Sequence, residues 1–257
     1  HEISGNGKKP LVLLHGFMEN NTIWDEMEAH LSKDFTLIKI DLPGHGKSKV
    51  YQEIHTVELM AEKVKEVIDA LKLEKINLLG HSLGGYVSLA FAEKFPEILE
   101  SMTLFFSTTV ADDEEKKAIR RRSIAVIDEN FETFVKTSIP NLFSNNEKDI
   151  LEGKIELAKN IAKSTNKEGV KAAQLGMAER PDRTEILENL DAKILIIAGK
   201  YDNAVKTENL LKIIPEKTNI KTYVLDCGHN GHWEKPTICA EIINTELLHN
   251  LPKHFLL

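Results

Sequence analysis

The strongest chemical signal in the chain is Gly80-His81-Ser82-Leu83-Gly84-Gly85, directly after the apolar run Ile76-Asn77-Leu78-Leu79. The spacing is G-x-S-x-G, in which a strand ends in a strained turn and passes at once into a helix. A serine at the tip of such a turn needs neighbours without side chains, and Gly80 and Gly84 supply them. The hydroxyl of Ser82 then stands clear of the sheet, with the positive end of the following helix directed at it. Leu83 to Lys94, carrying Val87, Leu89, Ala90 and Phe91, reads as that helix.

A serine hydroxyl becomes a nucleophile only when a base takes its proton and a third group orients the base. Two downstream segments offer these partners. Ile194 to Ala198 is a buried-strand pattern running through Gly199-Lys200-Tyr201 to Asp202, and Val224-Leu225-Asp226-Cys227-Gly228 leads to His229. Both residues fall just past strand ends, as Ser82 does, which favours a triad over a solvated turn carboxylate and a structural loop histidine. Asp41 and Asp226 are not expected to reach His229. The nearby His232 is given a supporting role, since it lies closer to the helix that Pro236 begins, and Trp233 and Glu234 beside it suggest packing against the sheet edge or a lid. Upstream, His15-Gly16-Phe17 follows the first clear strand and brings the Phe17 N–H toward the site. Together with the Leu83 N–H it would form an oxyanion hole. The phrase Asp41-Leu42-Pro43-Gly44-His45-Gly46-Lys47-Ser48 reads as a compact turn, and His15 and His45 read as structural histidines bonded to loop backbone.

These residues need a scaffold that aligns strand ends. Short apolar runs alternate with helical patterns, the signature of a mainly parallel α/β sheet with helices on both faces. Strands are expected at Leu11 to Leu14, Phe35 to Ile40, Ile76 to Leu79, Met102 to Phe106, Ile194 to Ala198 and Thr222 to Leu225. Helices are expected at Thr22 to Ser32, after a Thr56 cap with Met60, Val64, Val67, Ile68 and Leu71 inward, and from Pro236 through Ile238, Ile242, Ile243, Leu247 and Leu248. From Thr108 to Arg183 the alternation stops and the pattern is helical, with Ile119, Ala125, Phe131, Phe134, Leu157, Ile161 and Val170 as expected inward positions. The expectation is a core built from residues 1–107 and 184–257, with residues 108–183 as an inserted helical lid beside the strand ends, where sites form.

Composition narrows the function. At 257 residues, 42% hydrophobic and 28% charged, the chain suits one globular α/β domain with an insertion. A net charge of -7 argues against nucleic acid as a partner, because phosphates call for a basic face. Arg120-Arg121-Arg122 follows Asp112-Asp113-Glu114-Glu115, an acid-then-base order that suits a helix dipole. No apolar run reaches the roughly 20 residues a membrane span needs. No leader pattern is visible, and Cys227 and Cys239 read as reduced core thiols, so a cytoplasmic location is expected. The histidines and carboxylates lack ligand spacing such as H-E-x-x-H, so no metal is expected.

Taken in order, His15-Gly16, Asp41 to Ser48, Gly80 to Gly85, Asp202 and Gly228-His229 resemble the serine α/β-hydrolases of the lidded esterase, lactonase and haloperoxidase-like group. The resemblance covers about Pro10 to Ser107 and Leu187 to Leu248. In the lid, Met177-Ala178-Glu179-Arg180-Pro181-Asp182-Arg183-Thr184 is similar to a phrase of carboxylesterases and enol-lactonases. It implies acyl transfer to water with Ser82 as nucleophile, His229 as base and Asp202 as its orienting acid, without a cofactor. Its Gly-His phrase precedes its Glu-x-Pro phrase by the interval seen here between His229 and Glu234-Lys235-Pro236. Met18, Phe106, Phe131, Phe134, Phe143 and Trp233 are the candidate walls of an apolar acyl pocket, although each is also ordinary core material. The expected ligand is a small or medium carboxylic ester; the pattern commits to no oligomeric state. A lactonase, a carbon–carbon lyase or hydrolase, and a non-catalytic ligand sensor are the alternatives. Tyr86 stands where lyase relatives commonly carry a basic residue, and the intact Gly84-Gly85 pair departs from sensor relatives.

Overall fold

The computed structural model describes residues 1–248; the last nine positions of the expected core, 249–257, lie outside the described residues. Among the described residues, seven strands form one sheet: β1 (Glu2–Ser4), β2 (Lys9–Leu14), β3 (Phe35–Ile40), β4 (Ile76–His81), β5 (Leu99–Phe105), β6 (Lys193–Gly199) and β7 (Ile220–Leu225). Their order is β1-β3-β2-β4-β5-β6-β7, and only β1 runs antiparallel to its neighbour. The helices are α1 (Asp25–Leu31), α2 (Val57–Ala70), α3 (Leu83–Lys94), α4 (Glu114–Ser138), α5 (Glu152–Ser164), α6 (Lys167–Glu179), α7 (Ile186–Asn189), α8 (Thr207–Leu211), α9 (Gly231–Glu234) and α10 (Pro236–Leu248).

Period-two alternation sorts each central strand between two apolar layers. Along β2, Val12 and Leu14 pack in the layer that holds Met60, Val64, Val87 and Phe91 of α2 and α3. Leu11 and Leu13 pack in the opposite layer with Met27 and Leu31 of α1 and Ile243 and Leu247 of α10. Both faces are covered, which explains why the parallel strands read as continuous apolar runs. Thr56 caps α2 as expected, its hydroxyl accepting the Leu59 N–H at 3.1 Å. The chain passes from β2 to β3 on one side and returns to β4 on the other. This reversal is the point where open α/β sheets place their sites.

One strand lies outside the expected set, and the inward positions of the insertion need correction. The three-residue β1 carries no apolar run and is held by pairing with Lys39, Ile38 and Leu37 of β3, so nothing local announces it. In the insertion, Ile119, Ala125 and Leu157 face solvent, whereas Ile127, Val135 and Ile155 are buried. In α4 the inward positions ahead of the Asn130 break include Arg120 and Ser123, bonded to Asp112 and Gln174, beside Ile127, so apolar residues do not mark the inward face there. In α5 the buried stripe is Ile155, Ala158, Ile161 and Ala162, which leaves Leu157 on the outer side. Between α4 and α5 the insertion runs through two short 3₁₀ helices, Ile139–Leu142 and Asn145–Glu147, and turns.

Candidate active site

Ser82 is the single residue between β4 and α3, at φ +50° and ψ −110°. That backbone is strained for an L-residue, and its neighbours hold it: the Ser82 N–H donates to Phe105 O at 3.0 Å, and the Ser107 hydroxyl donates to Ser82 O at 2.8 Å. The flanking glycines are required by contact. A Cβ on Gly80 would lie 2.1 Å from Gly84 O, and one on Gly84 would lie 2.4 Å from Leu14 O.

Three strand ends converge here. His229 Nε2 lies 2.8 Å from Ser82 Oγ, and His229 Nδ1 lies 2.7 Å from Asp202 Oδ2. The other Asp202 oxygen accepts the N–H groups of Ala204 and Val205 at 2.7 and 2.9 Å, leaving Oδ2 for the imidazole. Burial pushes the Asp202 carboxyl up, but His229 and these N–H groups outweigh it and hold the group below its ordinary value. It therefore stays ionised and fixes His229 with its proton on Nδ1 and its lone pair facing Ser82. Asp41 is spent on the backbone N–H groups of Asn21 and Lys47, and Asp226 pairs with Lys200.

The loop carrying His229 is anchored from three directions. Its N–H donates to Leu142 O at 2.8 Å. The Glu234 carboxylate accepts the N–H groups of Gly228, Asn230 and Ser144, at 2.9, 3.2 and 3.1 Å. Burial raises the Glu234 carboxyl, and these three N–H groups act against that rise. Trp233 stacks on Phe143 with ring centroids 6.1 Å apart and planes 9° from parallel. On the opposite side, the Gly16 N–H, next along the chain from that of Phe17, donates to Glu19 Oε2 at 2.6 Å. Leu83 opens α3, so its N–H has no acceptor within the helix.

A family model described as the α/β hydrolase fold matches residues 9–236. The chain belongs to the α/β hydrolase family. It is 28% identical over 256 residues to a putative 2-succinyl-6-hydroxy-2,4-cyclohexadiene-1-carboxylate synthase of Bacillus subtilis (strain 168), covering 93% of this chain and 90% of that protein. It is 27% identical over 243 residues to a 2-hydroxy-6-oxononadienedioate/2-hydroxy-6-oxononatrienedioate hydrolase of Escherichia coli (strain K12), covering 90% and 84%. Among solved structures, a thermophilic esterase from Thermogutta terrifontis superposes with a TM-score of 0.89 at 33% identity, covering 96% of this chain and 92% of that one.

In this α/β hydrolase the candidate pocket residues divide by burial. Met18, Phe106, Phe143 and Trp233 belong to the buried layer beneath the strand ends, while Phe131 and Phe134 are partly buried against it. Met18 and Phe106 both take positive φ, +58° and +49°. His15 and His45 bond loop backbone: His15 Nε2 accepts the Leu42 N–H at 2.9 Å, and His45 Nδ1 lies 3.1 Å from Pro43 O. His232 departs from its expected setting. It is fully buried under the site, its ring 4.6 Å from that of His81 and 6.0 Å from that of Trp24, not at the sheet edge. Cys227 and Cys239 are both buried and form no disulfide.

Sequence reasoning passed over Glu19 and His81. His81 occupies the x before Ser82 on a strand buried on both faces, where a polar group must find a buried partner, and that demand was the available signal. Glu19 stands between Phe17-Met18 and Asn20-Asn21-Thr22, where nothing local marks it as buried. Glu19, His81 and His232 bring ligand-type atoms within 4.8 Å of one another. There, Glu19 Oε2 is engaged by the Gly16 N–H and by His81 Nδ1 at 2.8 Å, while both ring nitrogens of His232 are buried without a hydrogen-bond partner.

Proposed function

We propose that the protein is a serine hydrolase of carboxylic esters with small to medium acyl chains. The observation that carries this reading is the unbroken chain from Ser82 Oγ through the His229 imidazole to Asp202, at 2.8 and 2.7 Å, with Ser82 on a strained strand-to-helix turn. The likeness to an esterase over 96% of the chain supports it. Ser82 Oγ attacks the ester carbonyl while His229 Nε2 takes its proton. Asp202 holds the imidazolium that results, and the Phe17 and Leu83 N–H groups receive the negative oxygen. The imidazolium then gives its proton to the departing alcohol, leaving an acyl group on Ser82. A water, deprotonated by His229, releases the acid and restores the hydroxyl. The 108–183 insertion, through Phe131 and Phe134, sets which acyl chains fit.

The carbon–carbon reading suggested by two relatives' names has less support. Tyr86 replaces a basic side chain near the serine, and the Arg180 guanidinium 4.0 Å over the Tyr86 ring is already paired with Asp112. A panel of aryl esters of rising acyl length, run beside lactones, tests the reading. Turnover should be highest for short to medium esters; negligible ester turnover would favour the lyase or sensor alternatives, and a lactone preference the lactonase.

A further inference from the structure

Beneath the site lies a buried chain of polar groups that the triad chemistry does not use. Glu19 is 7% exposed and His81 1%. Glu19 Oε2 accepts the Gly16 N–H at 2.6 Å and faces His81 Nδ1 at 2.8 Å. The other nitrogen of the same ring, His81 Nε2, faces the carbonyl oxygen of His229 at 3.0 Å. A carboxylate and a carbonyl are both acceptors, so both ring nitrogens must donate, and only the imidazolium does so. One ion pair thus spans from the loop that presents the Phe17 N–H to the residue that takes the serine proton. The space is tight: a Cβ on Gly16 would lie 2.7 Å from both Glu19 Oε2 and His81 Nδ1.

We propose that Glu19 and His81 are a positioning pair that locks the oxyanion loop and the His229 backbone into one frame, favouring the transition state over the bound substrate. The inference rests on the ester hydrolase reading. The groups facing the pair agree with its charge state. Burial pushes His81 down, but Glu19 outweighs it and raises the imidazole above its ordinary value. Burial pushes Glu19 up, yet His81, with His232 and His15, draws it to about 2. Across from the pair, His232 is held neutral by burial and by the His81 charge, and Asp202 adds attraction for the imidazolium from behind His229.

The test compares Glu19→Gln, His81→Gln and the double variant in the full-length chain with an aryl ester. Each single variant leaves a buried group without its partner and should lose stability. The double variant removes both charges and should regain most of the melting temperature. A purely structural pair would then regain activity as well. The positioning pair predicts that the folded double variant keeps a kcat about 10- to 100-fold below wild type with KM within twofold, the scale of a misplaced reacting group. A double variant within threefold of wild-type kcat overturns the proposal. Nitrogen-15 spectra of labelled histidine supply a readout independent of turnover: His81 should show two ring N–H groups at pH 7, and one would refute the pair. An inactive wild type that shows both N–H signals would fault the ester reading and not the ion pair.

Discussion

At φ +50°, Ser82 carries a conformational cost of about 1–3 kcal/mol that the surrounding hydrogen bonds sustain. That strain aims Oγ at His229 Nε2 and away from the helix it precedes. Replacing it with alanine should leave the melting temperature near wild type and lower kcat by several orders of magnitude; retention of a tenth of the turnover would remove Ser82 from its role. His229→Ala should be as damaging. The contrast with His232 is sharper now that its position is known, since its ring faces His81 and Glu19 under the site, 3.7 Å from the Glu19 carboxylate. His232→Ala should reduce kcat modestly while lowering stability by about 1–3 kcal/mol through the vacated space, measured by urea unfolding. Ser82, Asp202 and His229, which the structure brings together, could be picked out because each follows a strand with a recognisable pattern. Glu19 and His81 were not, since their partnership joins residues 62 positions apart and depends on two strand ends meeting.

At the level of elements, the helical insertion is fastened at both its roots and its tip. Its two ends meet where the Arg183 N–H donates to Thr109 O at 3.0 Å, next to a Thr109–Thr184 hydroxyl pair at 2.9 Å. Arg183 pairs with Glu58 and Glu93 at 2.6 and 2.8 Å, and Arg180 pairs with Asp112 at 2.9 Å. Burial raises the Asp112 carboxyl, but Arg180 and Arg120 draw it to about 2. Arg183 therefore fastens the insertion to α2 and α3, while Arg180 ties the two roots of the insertion to each other. At the tip, Leu142 and Ser144 bond the His229 loop directly. Phe131→Ala and Phe134→Ala, at partly buried positions, should shift the acyl-length profile with little change in melting temperature. Phe143→Ala should differ, because that ring is fully buried against Trp233 and its removal should cost about 3–5 kcal/mol. If neither Phe131 nor Phe134 alters the profile, the insertion does not select the chain. The parallel strands were readable as short apolar runs, whereas α4 was misphased because polar Arg120 and Ser123, bonded to Asp112 and Gln174, occupy its inward face.

Across the whole molecule, buried histidines set the response to acid. Burial, aided by neighbouring histidines at His45 and His232, lowers the imidazoles of His15, His45, His55 and His232, His45 to about 3. A lowered histidine contributes stability that is complete above its unfolded value near 6.5 and is lost as pH falls below it. His81, being raised, acts in the opposite sense: its contribution is complete below about 6.5 and is lost as pH rises through its folded value. The carboxylates of Glu19, Asp112 and Asp202 are lowered, so their contributions persist until pH falls through the unfolded carboxylate range near 4. Between about pH 6.5 and 5 unfolding should take up more than one proton, a loss exceeding about 1.4 kcal/mol per pH unit. Urea unfolding at stepped pH measures this, and a flat profile there would contradict the burial of these rings. The mainly parallel sheet with both faces covered follows from the apolar runs, but the strand order and this titration do not, because they depend on which strands pair and which histidines fold inward.

The central claim is that Ser82 is the nucleophile of an ester-cleaving site. Its most direct test is stoichiometric labelling with a fluorophosphonate, followed by peptide mass spectrometry and residual turnover of a short aryl ester. One adduct per chain is expected, located on Ser82, with turnover falling in proportion to labelling and no adduct on the Ser82→Ala variant. An adduct on another residue, or full ester turnover in fully labelled protein, would contradict it.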